Sequence, residues 1–297
     1  FGVSPIAWIN DDLPALGGGT PLETVLTDAQ ELGFSGIELG GKFPREPHVL
    51  EALLSKHRLA LVGGWYSASL LIRSAAAEIE ALQPHLALLK AMGSGVFIVA
   101  ETSNAIHGNQ ARPLSATPRL ADSEWKQFGR KLSEVADHLA RAGLRMAYHH
   151  HLGTVVESQR DLERFIESTE ASVGLTVDTG HAALGGVDTL SLIRENPERV
   201  VHVHCKDVRS TVHQRLRSED GSFLSGVLKG MFTVPGDGDL DFAAVMQALA
   251  QMRYGGWIIV EAEQDPALAN PKVYAALGLD TLRRRAAAAN LWKAEYA

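Results

Sequence analysis

Short apolar runs alternate along this chain with stretches whose apolar residues recur every three to four positions. The runs have strand composition and cover residues 2–7, 36–39, 59–63, 96–100, 145–149, 174–178, 200–204 and 256–261. Helical periodicity fills the gaps. Residues 21–32 place Leu22, Val25, Leu26, Ala29 and Leu32 on one face, with Thr20 as the expected N-cap and Gly33 as the stop. Residues 123–142 form a long amphipathic segment ending at Gly143, and residues 240–252 and 272–291 complete the set. Eight strand–helix repeats with no strand-only block predict an α/β fold, a parallel (β/α)8 TIM barrel. No linker or low-complexity stretch interrupts the pattern, so residues 1–297 read as one domain.

Two connections are longer than a barrel requires, at about 101–122 and 208–239. Both follow predicted strands, so both belong over the C-terminal mouth. The first is rich in Ser, Thr, Asn and Pro. The second carries Phe223, Leu224, Val227, Leu228, Met231 and Phe232, then the turn Pro235-Gly236-Asp237-Gly238-Asp239. A solvated insertion would not expose that much apolar surface. A lid or substrate wall is the better reading.

The polar residues that end the last four strands carry the chemistry. They are His149 after Met146-Ala147-Tyr148, Asp178 after Leu175-Thr176-Val177, His204 after His202-Val203, and Glu261 after Ile258-Ile259-Val260. Barrel strand ends ring a common axis, so these donors converge, as a catalytic divalent ion requires. A mixed His/carboxylate set suits manganese, cobalt, iron or zinc better than calcium. Each residue has a structural alternative: Asp178 as an N-cap, His202 as a core or supporting histidine, His149 as a mere neighbour of His150 and His151. Four coincident strand ends favour the metal. Alternation turns Cys205 away from His204, making it a small buried apolar residue.

Composition narrows the class. The hydrophobic content is 45%, the charged content 21% and the net charge −7. No basic stripe stands out, which argues against nucleic-acid binding. A single cysteine excludes an internal disulfide and fits a reducing compartment. No apolar stretch approaches transmembrane length, and Phe1-Gly2-Val3-Ser4-Pro5 lacks a secretory signal's charged start. A soluble cytoplasmic protein without a membrane partner is expected; a homo-oligomer stays open.

Several longer motifs carry a resemblance. They are Trp8-Ile9-Asn10-Asp11-Asp12, Gly17-Gly18-Gly19, Glu38-Leu39-Gly40-Gly41, Ala147-Tyr148-His149-His150-His151, Asp178-Thr179-Gly180-His181 and Val201-His202-Val203-His204-Cys205-Lys206-Asp207. The stretch from Gly230 to Asp241 and Val260-Glu261-Ala262-Glu263-Gln264-Asp265-Pro266 complete the set. On these the chain resembles the inosose dehydratases of the xylose-isomerase-like, or AP-endonuclease-2-like, barrel superfamily over nearly its whole length. Ile9 stands where a basic residue is expected and Lys42 where an apolar one is, both near the mouth. Superfamily isomerases and epimerases usually offer Glu where this chain has His149.

The resemblance implies loss of water from 2-keto-myo-inositol through a metal-stabilised enolate, giving a trihydroxycyclohexane-dione in inositol catabolism. It also implies Mn2+ or Co2+, with Zn2+ or Fe2+ as alternatives, and assistance by glutathione, for which the residues carry no signal. Removal of an α-proton and protonation of the leaving hydroxide need a base and an acid. His151, His181, Lys206 and Glu263 could supply them, with a histidine as base and Lys206 on an oxyanion or hydroxyl. Lys206-Asp207 also reads as a strand-end ion pair. Trp8, Asn10, Glu38 and Glu101 are the expected contacts to the polyol; core packing is favoured for Trp65 but not for Trp8. An isomerase or epimerase on the same enolate is the nearest rival. Net charge opposes an endonuclease, and intact strand ends oppose a non-catalytic barrel.

Overall fold

The structure is a computed structural model and describes residues 1–292. Eight parallel strands close into a barrel: β1 (Gly2–Val3), β2 (Gly36–Leu39), β3 (Ala60–Ala68), β4 (Val96–Glu101), β5 (Arg145–His149), β6 (Val173–Asp178), β7 (Val200–Cys205) and β10 (Ile258–Val260). β1 closes the ring against β10. The short strands β8 (Asp207–Val208) and β9 (Phe232–Thr233) pair antiparallel outside it. Around the barrel run α1 (Leu22–Leu32), α2 (Pro47–Lys56), α3 (Ala75–Ala81), α4 (Gln83–Ala91), α5 (Asp122–Arg141), α6 (Gln159–Ser168), α7 (Thr179–Leu184), α8 (Thr189–Glu195), α11 (Phe242–Gln251) and α12 (Pro271–Ala288). The two remaining helices, α9 (Ser210–Ser218) and α10 (Phe223–Leu228), sit inside the second long connection. None of the described helices is long and apolar enough to cross a membrane.

The expected elements differ from the observed ones where local chemistry intervenes. β1 stops at Val3 because Pro5 lacks the N–H a strand needs, and Pro5–Ala7 turns into a 3-10 helix. Helix α1 has Pro21, not Thr20, at its cap, with no side-chain cap bond; Gly33 does end it, at φ 81°. β3 runs on past Gly63 to Ala68 and lifts Trp65 towards the mouth.

The second long connection is a folded lid. Leu216, Phe223, Leu224, Val227, Met231 and Phe232 bury together with Leu114 and Leu152 in a small core of their own. The first long connection meets it where the Leu114 N–H donates to the Gly221 carbonyl at 2.9 Å. Asp207 ties the lid to β7: its two oxygens accept from the N–H groups of Val208, Gly236, Gly238 and Leu240 at 2.9–3.1 Å. This replaces the expected Lys206–Asp207 ion pair, since Lys206 points the other way, into the barrel. A Cβ at Gly238 would lie 2.4 Å from the Val208 carbonyl oxygen, so only glycine lets the turn come this close.

Helix α5 buries Trp125, Phe128, Leu132, Val135, Ala136 and Leu139. Its close approach to the end of α6 depends on Gly129, where a Cβ would lie 1.9 Å from the Ser168 carbonyl oxygen. Glycine to alanine inside a helix normally gains about 1 kcal/mol. Here the clash costs about 3 kcal/mol, so Gly129→Ala lowers the urea midpoint. A midpoint equal to or above wild type would show that α6 yields freely.

Candidate active site

Parallel register sets the strand ends at one level. Asp178 pairs with His204 across β6 and β7, and His149 pairs with Thr176 across β5 and β6. The side chains of His149, Asp178 and His204 therefore meet inside the mouth. His149 Nε2 lies 3.5 Å from Asp178 Oδ2 and 3.3 Å from His204 Nδ1. His204 Nδ1 lies 3.7 Å from Asp178 Oδ2 and 2.6 Å from Glu261 Oε2. All four expected ligands converge.

These donors fit a divalent ion. Metal bonds of about 2.1 Å place neighbouring ligand atoms roughly 3.0–3.5 Å apart, and three of the four separations are near that. Asp178 shows the division of labour. Its Oδ1 caps α7 by accepting from the Gly180 and His181 N–H groups, while its Oδ2 faces the histidines, buried and without a hydrogen-bond partner. Both readings of Asp178 hold, one for each oxygen. Burial alone would raise its carboxyl, but Lys206 and the histidines outweigh that and hold it well below the usual range.

Lys206 is fully buried behind this cluster. Its Nζ lies 2.8 Å from Glu261 Oε1, 3.5 Å from both Glu263 Oε2 and Asp178 Oδ2, and 4.7 Å from the Phe232 ring centre. Burial disfavours the ammonium, but the three carboxylates more than restore it and raise its pKa. His181 is held between the Leu152 N–H at 3.2 Å and Lys206 Nζ at 3.1 Å. Burial, His151 and Lys206 keep that ring well below the ordinary histidine range, hence neutral.

His151 and Glu263 face the open space. His151 donates from Nδ1 to the Leu152 carbonyl at 2.7 Å, which leaves the Nε2 lone pair 3.8 Å from Glu263 Oε1. Burial and the neighbouring His107, His149 and Lys206 hold His151 neutral. Burial pushes the Glu263 carboxyl up to about 8, against the pull of Lys206.

The cavity in front of these groups is about 110 Å³. His149, His151, His204, Glu261 and Glu263 form its floor, and Trp65, Glu38, Asp11 and Asp12 its walls. His181, Lys206 and Asp178 stand behind that lining, so Lys206 is not the direct substrate contact it was expected to be. Of the expected polyol contacts only Glu38 lines the cavity. Trp8 is buried in the core and donates Nε1–H to Asp28 Oδ2. Asn10 turns its Oδ1 to the Asp12 and Leu13 N–H groups. Glu101 accepts from the Leu70 and Ser103 N–H groups. The two tryptophans have exchanged places: Trp65, 36% exposed, sets its ring edge-on to His149 and His151. Ile9 and Lys42 also lie off the lining; Lys42 ties the Gly18 and Thr20 carbonyls together.

Three further residues belong here. Asp11 and Asp12 lie in the aperiodic loop after β1, where alternation says nothing. His107 is a single histidine in a polar loop. It packs against His151, ring centres 4.8 Å apart and the planes tilted by 57°, and its Nε2 lies 3.7 Å from Asp12 Oδ1. From the lid, Phe223 covers His107, His151 and His181, with ring centres 5.0–6.3 Å away.

Comparison with known proteins adds names to this geometry. The profile of the Xylose isomerase-like TIM barrel family matches residues 26–285. The rhizopine catabolism protein MocC of Rhizobium meliloti is 45% identical over 287 residues, which are 97% of this chain and 88% of that protein. An inosose dehydratase of Geobacillus thermodenitrificans is 40% identical over 277 residues, 93% of each chain. Among solved structures, the probable 3-DHS dehydratase AsbF of Bacillus anthracis superposes with a TM-score of 0.70 at 13% identity, over 95% of this chain and 98% of that one. An L-ribulose 3-epimerase does so at 0.65 and 18%, over 97% of each. The last two likenesses are of fold alone.

Proposed function

This chain belongs to the Xylose isomerase-like TIM barrel family, and on that premise we propose that it is a metal-dependent hydro-lyase acting on 2-keto-myo-inositol. The product in this reading is a trihydroxycyclohexane-dione, and the setting is inositol catabolism. One observation carries the proposal. The four strand-end donors meet within 4 Å of a neighbour beside a cavity floored by a neutral histidine and a carboxyl raised to about 8, in a chain 40% identical over 93% of its length to a protein named inosose dehydratase.

His149, Asp178, His204 and Glu261 would hold the ion; their imidazole and carboxylate character suits manganese, cobalt, iron or zinc, and the family resemblance favours Mn2+ or Co2+. When bound, the ion polarises the ketone and stabilises negative charge as the α-proton leaves. His151 Nε2, unprotonated and in the cavity, takes that proton. Glu263, largely protonated near neutral pH because burial raises its carboxyl to about 8, gives one to the departing β-hydroxyl. The α C–H and β C–O bonds break, a C=C bond forms, and water leaves. Lys206 holds Glu261 and Glu263 in place from behind. Trp65 and Phe223 exclude solvent water.

An epimerase would use the same enolate and return the proton to carbon. The test is ultraviolet absorbance of Mn2+-loaded protein mixed with 2-keto-myo-inositol, where the conjugated enol-dione should give a new band. No band, with α-proton exchange in deuterated water, would make the protein an isomerase or epimerase. Neither signal would overturn the substrate class. The MocC likeness makes the ring substituents the first thing to vary in that event.

A further inference from the structure

Glu38 reaches across the barrel from the end of β2 to two histidines of β7. Its Oε1 accepts from His202 Nε2 at 2.7 Å and from His204 Nε2 at 2.8 Å. Residues two apart on a strand share a face, so His202 and His204 stand one above the other, ring centres 5.1 Å apart. His204 is the metal-side histidine and His202 lies a pleat deeper. It is fully buried, absent from the cavity lining, and its Nδ1 has no partner. A polyol in the cavity has no route to it.

An imidazole that donates from Nε2 presents its Nδ1 lone pair on the opposite edge. In His204 that edge lies 3.7 Å from Asp178 and, without metal, donates to Glu261 Oε2 at 2.6 Å; an ion bound there would displace that proton and take the Nδ1 lone pair. The acceptor at Nε2 therefore decides both which nitrogen is free and where the ring plane points. His202 in turn pins the carboxylate oxygen that does this, and a carboxylate held by two donors cannot rotate away.

We propose that Glu38 and His202 form a positioning pair that sets the tautomer and orientation of His204 for metal binding, and that Glu38 acts through His204 more than as a polyol ligand. Carboxylate–histidine–metal relays are a general device, and losing the outer partner typically weakens metal binding about 10–100-fold. The inference rests on the metal reading of this site and not on the substrate, so the measurement that decides it is run without substrate.

The probe is Mn2+ alone, titrated against the full chain and followed by the loss of the free-ion EPR signal. Glu38→Gln, nearly isosteric, should raise the Mn2+ Kd about 10–100-fold. His202→Leu should move it in the same direction, and His202→Gln, which restores an N–H donor to Glu38, should recover much of the loss. Thermal melts of all three check that the barrel is folded. With saturating Mn2+ and keto-inositol, kcat should fall while KM stays near wild type. Wild-type Mn2+ affinity in Glu38→Gln would overturn the proposal, and a raised KM beside it would make Glu38 a hydroxyl ligand. An unchanged Kd in His202→Leu would remove His202 from the pair. Failure of wild type itself to bind Mn2+ would overturn this inference and the metal reading together, whereas binding without dehydration leaves this inference standing alone.

Discussion

Glu261→Gln and His149→Ala each lower metal-dependent turnover by about 10³-fold, the scale on which a lost electrostatic stabiliser is felt. The two differ in what else they do. His149 Nε2 contributes one donor, 3.5 Å from Asp178 and 3.3 Å from His204, and its Nδ1 has no partner. Removing it opens the site and leaves the ion pairs intact, so metal-free stability changes little beyond the lost packing against Trp65. Glu261 instead bridges His204 at 2.6 Å and the buried Lys206 at 2.8 Å. Removing its charge leaves Lys206 with only Asp178 and Glu263 at 3.5 Å, which costs roughly 3 kcal/mol of metal-free stability. Bound metal counted by atomic emission, turnover, and urea melts without metal separate these effects. Turnover within tenfold of wild type in either variant, at full metal occupancy, would remove that residue from the ligand set.

The strand ends were legible in the sequence because a period of two is a physical rule. Once β5, β6 and β7 are strands, His149, Asp178 and His204 fall at their ends, and barrel closure brings them together whatever the loops do. Glu261 follows from the same rule on β10. What lay beyond the strands did not follow. Alternation could not be carried from Val3 to Trp8, because Pro5 ends β1 and the 3-10 turn rotates Trp8 into the core. It was stopped too early in β3, which continues to Ala68 and carries Trp65 to the mouth. Glu101 ends β4 as the others end theirs, yet two backbone N–H groups claim its carboxylate. A strand-end position thus reports where a side chain starts; which group satisfies it depends on loops that no period describes.

The lid illustrates a different kind of legibility. Six apolar residues in a nominal loop forecast burial, and Phe223, Leu224, Val227, Met231 and Phe232 are indeed buried. That they would form a core of their own with Leu114 and Leu152, and set Phe223 over three histidines, required contacts between segments far apart in the sequence. His107 and Asp12 were missed for the same reason. Each is an isolated polar residue until the loops after β1 and β4 bring them 3.7 Å apart.

Lys206→Met should weaken the enzyme and tighten its hold on metal. The ammonium lies 2.8 Å from Glu261 and 3.5 Å from Asp178, competing with an ion for the same two carboxylates. Two unit charges about 4 Å apart interact by roughly 4 kcal/mol at an effective dielectric near 20. Even a third of that repulsion, lifted from a divalent ion by methionine, tightens Mn2+ binding about tenfold. Without metal the balance reverses: three buried carboxylates lose their common cation, and the fold loses about 3–5 kcal/mol. Saturating Mn2+ returns about 2.7 kcal/mol at a hundred times its Kd. Turnover still falls about 10²-fold, because Glu263 is no longer held beside His151. Mn2+ titration, melts with and without metal, and steady-state rates read these three signs separately. If Lys206→Met bound Mn2+ more weakly than wild type, Lys206 would be a support that orients the ligands and not a charge that competes with the ion.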